Sequence, residues 1–239
     1  MPARNRTKQY TEKGYYHIYN RGVEKRLIFL DEQDYAVFLS YLKNYLSPKN
    51  EKNLFDKLSD LNISYPEKNS ILKLLRLNNF YSEITLLSFC LMPNHFHFFI
   101  RQEDSTSMDK FMQSLGTRYT MYFNRKYKRV GTLYQDTYKA VLIVTDKQSV
   151  YLSKYIHKQA IIRQSSKRTV PKGQTLQSWK NEQPSSYSEY LGRRKTEWVH
   201  PEEVLNYFSK TNPKLSYKAF VEEKDDFSVI ENKILEKDF

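Results

Sequence analysis

The stretch Met92-Pro93-Asn94-His95-Phe96-His97-Phe98-Phe99-Ile100 places two imidazoles two residues apart in a run otherwise suited to a buried strand. Side chains alternate across a strand, so His95 and His97 share one face while Phe96, Phe98 and Ile100 share the other. One face can enter a core while the other offers two nitrogen ligands to a divalent cation. Further along, Tyr151, Tyr155 and Gln159 fall at i, i+4 and i+8 and form one helical stripe, with Leu152, Ile156 and Ala160 beside it as an anchor. A tyrosine hydroxyl titrates near about 10 and attacks poorly unless it or its target is activated. A cation on His95 and His97 would polarise a phosphodiester and stabilise the charge that develops during attack. The Gln159 oxygen would supply a third ligand from one turn beyond Tyr155. The combination suits phosphoryl transfer to Tyr155, whose covalent ester conserves bond energy for rejoining to another end. Taken singly, a His-x-His pair also fits a sheet surface, Tyr155 an amphipathic core position and Gln159 a solvated one. Their joint occurrence, in this chain order, favours chemistry.

The elements that must position these groups run β-α-β-β-α-β, followed by one more helix. Residues 15–20 read as a strand ended by Arg21-Gly22. Asp31 and Asp34 open a helix carrying Tyr35, Phe38, Leu39 and Leu42 at the helical period. Residues 83–92 and 94–101 are apolar strands joined at Pro93-Asn94. Met108, Phe111, Met112, Leu115, Tyr119, Tyr122 and Phe123 predict an amphipathic helix over 107–125. After Gly131, residues 132–144 read as a long strand, and Asp146 caps a helix running to about Arg163. A polar loop then leads to a short helix near Ser188. The expected class is α+β: a ferredoxin-like β-α-β-β-α-β antiparallel sheet with helices on one face, the other face open for a site, and an additional C-terminal helix bearing Tyr155. The expected organisation is a basic N-terminal arm over 1–13, one domain over 14–192 with a helical insertion at about 47–80, and a charged extension over 193–239. Within the insertion, 54–61 and 71–77 are short amphipathic pieces.

At 239 residues the chain can bury one sizeable core. Lys and Arg outnumber Asp and Glu by 39 to 27, and the excess is uneven: +4 over residues 1–100, +11 over 101–200 and −3 over 201–239. Basic charge interleaved with tyrosine after the histidines fits a polyanion with stackable bases, although such charge also serves as a solubilising surface. Cys90 is the sole cysteine, which excludes an intrachain disulfide and a cysteine-based zinc cluster and suits a reducing cytoplasm. Residues 1–13 lack the apolar core of a secretory signal, and the longest apolar-rich run, 84–92, is too short to span a bilayer. No membrane partner is expected.

His95-Phe96-His97 resembles the histidine-hydrophobic-histidine (HUH) motif, and Tyr155-Ile156-His157-Lys158-Gln159 resembles the catalytic helix of the single-tyrosine HUH transposases. Four further stretches are similar to the branch called REP-associated tyrosine transposases. They are Tyr16-His17-Ile18-Tyr19-Asn20-Arg21-Gly22, Met92-Pro93-Asn94-His95, Gly131-Thr132-Leu133-Tyr134-Gln135, and Ser185-Ser186-Tyr187 ahead of Tyr190-Leu191-Gly192. The resemblance covers residues 14–192, interrupted at 47–80. It implies a metal-dependent single-stranded DNA transposase and endonuclease of the bacterial cytoplasm, associated with the nucleoid, with Mg²⁺ or Mn²⁺ on His95, His97 and Gln159. Tyr155 would attack single-stranded DNA beside a hairpin or palindromic repeat, leaving a 5′-phosphotyrosine and a free 3′ hydroxyl. Gln159-Ala160 departs from the Asn-Pro common in that branch and matches the mobile insertion-sequence relatives; either amide offers an oxygen to a metal. A monomer and a homodimer are both compatible with these motifs.

Cations expected at DNA are Arg4, Arg6 and Lys8 of the arm, Arg21, and Arg118, Arg125, Lys126, Lys128 and Arg129 around the end of the second long helix, where residues 110–135 hold no acid. Tyr127 and Tyr134 offer stacking surfaces nearby. Two other readings stand beside this one. A hairpin-binding regulator that has lost turnover is opposed by the intact set of catalytic residue types. A zinc hydrolase would need a further ligand such as His17 or His157, and no Asp or Glu adjoins the pair. A covalent DNA adduct on tyrosine separates the first reading from both.

Overall fold

Strands β1 (Tyr15–Arg21), β2 (Ile84–Met92), β3 (His95–Gln102) and β4 (Lys139–Ile143) form one antiparallel sheet in the order β2-β3-β1-β4. They are seen in a computed structural model that describes residues 10–162, 183–224 and 227–233. This is the expected ferredoxin-like arrangement. The first crossover carries α1 (Glu32–Leu46) and then α2 (Glu51–Leu58) and α3 (Tyr65–Arg76); the second carries α4 (Ser107–Lys126). Asp31 and Asp34 start α1 as a reciprocal capping box. α2 and α3 bury no residue and account for the two pieces expected in the insertion.

Alternation along β1 and β3 builds the main core. Tyr16 and Ile18 of β1 join Phe96, Phe98 and Ile100 of β3 against Phe38 and Leu42 of α1 and Phe111, Leu115 and Tyr119 of α4. Each such side chain contributes about 1.5–3 kcal/mol by leaving water. A β-bulge between Leu86 and Ser88 shifts the parity of β2, so Leu87, Cys90 and Met92 turn to the opposite face.

That opposite face, expected to be open, is covered. α5 (Asp146–Ile162) packs on it with Leu152, Ile156 and Ala160 against Leu87, Cys90, Met92, Phe99 and Ile143. Short helices α6 (Tyr187–Tyr190), α7 (Glu202–Leu205) and α8 (Tyr217–Glu222) add Tyr190, Val204, Tyr217 and Val221 to the same cluster, and Ile230 joins beyond them. Residues read as charged extension thus supply a second core, and Trp198 and Val199 enter the first. The cause lies in β2, which is apolar on both faces, and in β3, whose Phe99 and buried histidines also need cover on the second face.

Two local expectations are corrected. The strand read over 132–144 is confined to β4, and the backbone of residue 134 forms an isolated bridge to Gly22 rather than a ladder. Asp136 takes the Thr137 N–H at 2.7 Å in a local turn that breaks the ladder. The cap of α5 is Thr145, whose hydroxyl accepts from the Gln148 N–H at 3.2 Å, while the Gln148 side chain accepts from the Val144 N–H at 3.0 Å. Asp146 sits inside the first turn, where its charge still favours the helix. No helix among the described residues is long and apolar enough to cross a membrane.

α5 is tied down by one buried histidine. His157 meets Ser186 Oγ through Nε2 at 2.8 Å and the Tyr217 hydroxyl through Nδ1 at 2.6 Å. Ser186 Oγ accepts the Phe89 N–H of β2, and the Tyr217 hydroxyl donates to Ser153 of α5. Burial pushes the His157 pKa down to about 3, whereas an unfolded histidine titrates near about 6.5. As pH falls from 6.5 toward 3, the unfolded chain binds the proton first and stability is withdrawn. Between about pH 7.5 and 5 this residue is expected to cost about 2 kcal/mol. Urea unfolding of the parent and of His157→Gln at both pH values checks it; an equal pH dependence in the two would refute the assignment.

Candidate active site

The antiparallel register sets Tyr19 opposite His97 and Arg21 opposite His95, so His17 and Tyr19 of β1 share the face of the two β3 histidines. His17, His95 and His97 are 1–2% exposed. His97 Nδ1 lies 2.9 Å from His17 Nε2, and His95 Nδ1 lies 2.6 Å from Asn94 Oδ1. The His95 and His97 rings meet edge to face, centroids 4.9 Å apart. α5 brings Tyr155 over them: its ring is edge-on to His97 at 5.6 Å and to His17 at 6.0 Å. Tyr155 is 2% exposed, with Phe227 edge-on to it at 5.6 Å. Gln159 is half-buried one turn further along α5. Tyr151 packs instead on Phe220 of α8, centroids 5.3 Å apart.

The structure therefore brings His95, His97 and Tyr155 together within one chain. His157, weighed as a zinc ligand, is engaged by Ser186 and Tyr217 in the network that holds α5. Among the described residues there is no group of three or more His, Cys, Asp or Glu that could hold a metal ion. With both Nδ1 atoms in hydrogen bonds, Nε2 is the atom each ring would offer a cation. Two imidazole nitrogens and an amide oxygen fit Mn²⁺ or Mg²⁺, with the imidazoles favouring Mn²⁺.

Sequence reasoning passed over Tyr19, although the spacing His17-x-Tyr19 on β1 repeats His95-x-His97 on β3. Its ring lies 5.0 Å from His17 and 5.9 Å from His97. Burial pushes its pKa up to about 12, so it stays a neutral hydroxyl.

The expected DNA-contacting cations divide. Arg4, Arg6 and Lys8 lie outside the described residues. Arg125 and Lys128 are exposed. Arg118 sets its guanidinium 3.8 Å above the Tyr41 ring, Arg129 donates to Asn124 Oδ1 at 3.0 Å, and Arg21 donates to Gln135. Lys126 is committed elsewhere: its ammonium pairs with Asp31 at 2.6 Å and with fully buried Asp34 at 2.8 Å. Burial opposes that charge, but the hydrogen bonds to Asp31 and Asp34 outweigh it and raise its pKa well above the usual lysine value. Tyr127, expected as a stacking surface, is half-buried and donates to Asp34 at 2.8 Å. The Tyr134 hydroxyl is buried beside a cleft of about 370 Å³ formed with Phe96, Met112, Leu115 and Tyr138.

The family described as IS200-like transposases matches residues 36–159, just over half the chain. Among solved structures, a REP-associated tyrosine transposase bound to a REP hairpin is similar at a TM-score of 0.45 and 9% identity, over 82% of this chain and 96% of that one. A protein described as a transposase from Deinococcus radiodurans R1 is similar at a TM-score of 0.34 and 12% identity, over 65% of this chain and 97% of that one. No protein of curated function matches the chain by sequence.

The division among the cations has a measurable consequence for stability. Lys126→Met leaves Asp34 buried without its counter-charge and is expected to cost about 3 kcal/mol. Arg125→Met and Lys128→Met, on the surface, should change stability by less than about 0.5 kcal/mol. Denaturant midpoints of the three variants decide the point; a neutral Lys126→Met would show that the ion pairs hold nothing together.

Proposed function

Because the chain belongs to the IS200-like transposase family, we propose that it cleaves and rejoins single-stranded DNA at sites associated with hairpins or palindromic repeats. Tyr155 is the nucleophile of this reading. The observation that carries it is the packing of the Tyr155 ring against His97 and His17, which joins the two chemistry-bearing elements without a second copy of the chain.

In the proposed reaction the Tyr155 oxygen forms a bond to the scissile phosphorus as the bond from phosphorus to the 3′ oxygen breaks. The phenol gives up its proton and the departing 3′ oxygen takes one up, leaving a 5′-phosphotyrosine and a free 3′ hydroxyl. Attack by another 3′ hydroxyl reverses the step, frees Tyr155 and joins a new pair of ends. His95, His97 and Gln159 would hold Mg²⁺ or Mn²⁺, which supplies charge stabilisation at the phosphate when bound. The buried faces of His17, Tyr19 and Tyr155 keep water from competing with DNA for the phosphotyrosine. With Tyr155 2% exposed, entry of a strand requires Phe227 and its neighbours to give way. Arg125 and Lys128, with Arg4, Arg6 and Lys8 of the arm and Arg21, Arg118 and Arg129, are proposed to track the phosphate backbone.

Tyr155→Phe should keep DNA binding and abolish the covalent protein–DNA species seen on denaturing gels. If Tyr151→Phe removed that species while Tyr155→Phe left it, the nucleophile would be misassigned. His95→Ala and His97→Ala should stop cleavage and Gln159→Ala weaken it, with Mn²⁺ supporting activity better than Mg²⁺. Undiminished cleavage in excess chelator would sink the metal role.

Binding should weaken steeply with salt, by a slope of about −0.7 per phosphate neutralised on single strands. Removal of residues 1–9 is expected to reduce discrimination between a hairpin with its flanking bases and an unrelated strand of equal length. Equal discrimination by full-length and truncated chains would eliminate the arm as a reader.

A further inference from the structure

A neutral imidazole ligates a metal only through the nitrogen that carries no hydrogen, and the bond made by its other nitrogen decides which one that is. Both β3 histidines are buried and make that other bond. Asn94 Oδ1, 2.6 Å from His95 Nδ1, can only accept, so His95 carries its hydrogen on Nδ1. The amide is oriented by its other end, since Asn94 Nδ2 faces the Lys25 carbonyl at 3.5 Å. The turn itself is anchored: the Asn94 carbonyl accepts the Gly22 N–H at 2.8 Å, and the Pro93 carbonyl accepts those of Ile28 and Phe29.

His97 is held by a different device. Its Nδ1 and His17 Nε2 are 2.9 Å apart, the ring planes are within 18° of parallel, and the centroids are 5.2 Å apart. Such a separation joins the rings edge to edge, where N–H bonds and lone pairs point. Of the two nitrogens one must donate and the other accept. Donation by His17 would leave the His97 hydrogen on Nε2 and remove that atom as a ligand. Donation by His97 keeps Nε2 available and matches the tautomer of His95. The β1–β3 register, which makes His17 and His97 diagonal neighbours, holds the contact in place.

We propose that His17 and Asn94 are positioning residues that keep His97 and His95 in the Nδ1-protonated tautomer, so that both rings present Nε2 to one divalent cation. This rests on the metal-binding reading above. His17 is thereby neither a third ligand nor a core aromatic, and a side chain that accepts at its Nε2 position should replace it.

The test uses the full-length chain and Mn²⁺ alone. Long-range ¹H–¹⁵N correlation spectra of the metal-free protein report each histidine tautomer directly. Mn²⁺ affinity follows from calorimetric titration, and thermal unfolding confirms that each variant is folded. The parent is expected to show Nδ1–H at both His95 and His97. His17→Phe should give His97 a mixture of tautomers and weaken Mn²⁺ binding roughly 10–100-fold. His17→Gln, whose amide oxygen can accept near the same point, should recover most of the affinity, and Asn94→Ala should weaken binding through His95. Nε2–H at His97 in the metal-free parent would overturn the proposal, as would unchanged Mn²⁺ affinity in a folded His17→Phe. Should His17→Phe not fold, the parent tautomer and the affinity of His17→Gln decide. A parent with Nδ1–H at His97 that binds no Mn²⁺ would overturn the metal reading while supporting the tautomer assignment.

Discussion

β3 is buried on both faces but carries unlike side chains on each, and the rest of the molecule is arranged to meet that condition. Phe96, Phe98 and Ile100 are covered by α1 and α4 at no polar cost. The other face presents His95 and His97 among apolar neighbours, and a buried imidazole nitrogen without a hydrogen bond costs about 1–3 kcal/mol. Each ring has its Nδ1 engaged, by His17 from the neighbouring strand or by Asn94 from the turn. The fold thus tolerates two buried histidines because the β1–β3 register brings His17 to His97 and the β2–β3 turn brings Asn94 to His95. A one-residue slip would turn His17 into the aromatic core and Ile18 toward the site.

The same condition explains the chain beyond β4. A strand buried on both faces needs a second cover, and α5 alone is one helix wide. α6, α7 and α8 complete it, with Tyr217 and Ser186 joined to α5 through His157. Tyr155 therefore reaches the histidines on a helix fixed to β2 at one side and to the C-terminal segment at the other. Placement of Tyr155 and closure of the second core are one packing solution, which is why Tyr155 sits as deeply as a core residue.

Much of this was legible in the sequence, for reasons that differ by element. The order of elements followed from strong apolar periods in α1 and α4 and from the uninterrupted strands β2 and β3. The face shared by His95 and His97 followed from alternation alone, whereas His17 joins it only through the β1–β3 register. β4 was overextended because β-branched and aromatic residues at 132–138 satisfy propensity without a continuous ladder; beyond one bridge at Tyr134 the segment leaves the sheet, and Tyr138 donates to Asp109 of α4. The second core was missed because its outer wall comes from short helices in which Val204, Tyr217 and Val221 are separated by charged residues, too sparse to register as a period. Thr145-x-x-Gln148 was a readable helix start, obscured by Asp146 beside it.

Charge counting illustrates the same limit from the electrostatic side. Residues 110–135 contain no acid and so present as a uniform basic patch. Yet Lys126 closes on Asp31 and Asp34, which lie 95 and 92 positions earlier in the chain. Asp34 is fully buried and also accepts from Tyr122 and Tyr127, so α1 and α4 are locked together by a cation that local sequence assigns to the surface. Of that stretch Arg125 and Lys128 stay exposed, while Arg118 and Arg129 are partly engaged by Tyr41 and Asn124. A basic stretch measures affinity for phosphate only after the counter-charges that folding delivers from elsewhere have been subtracted.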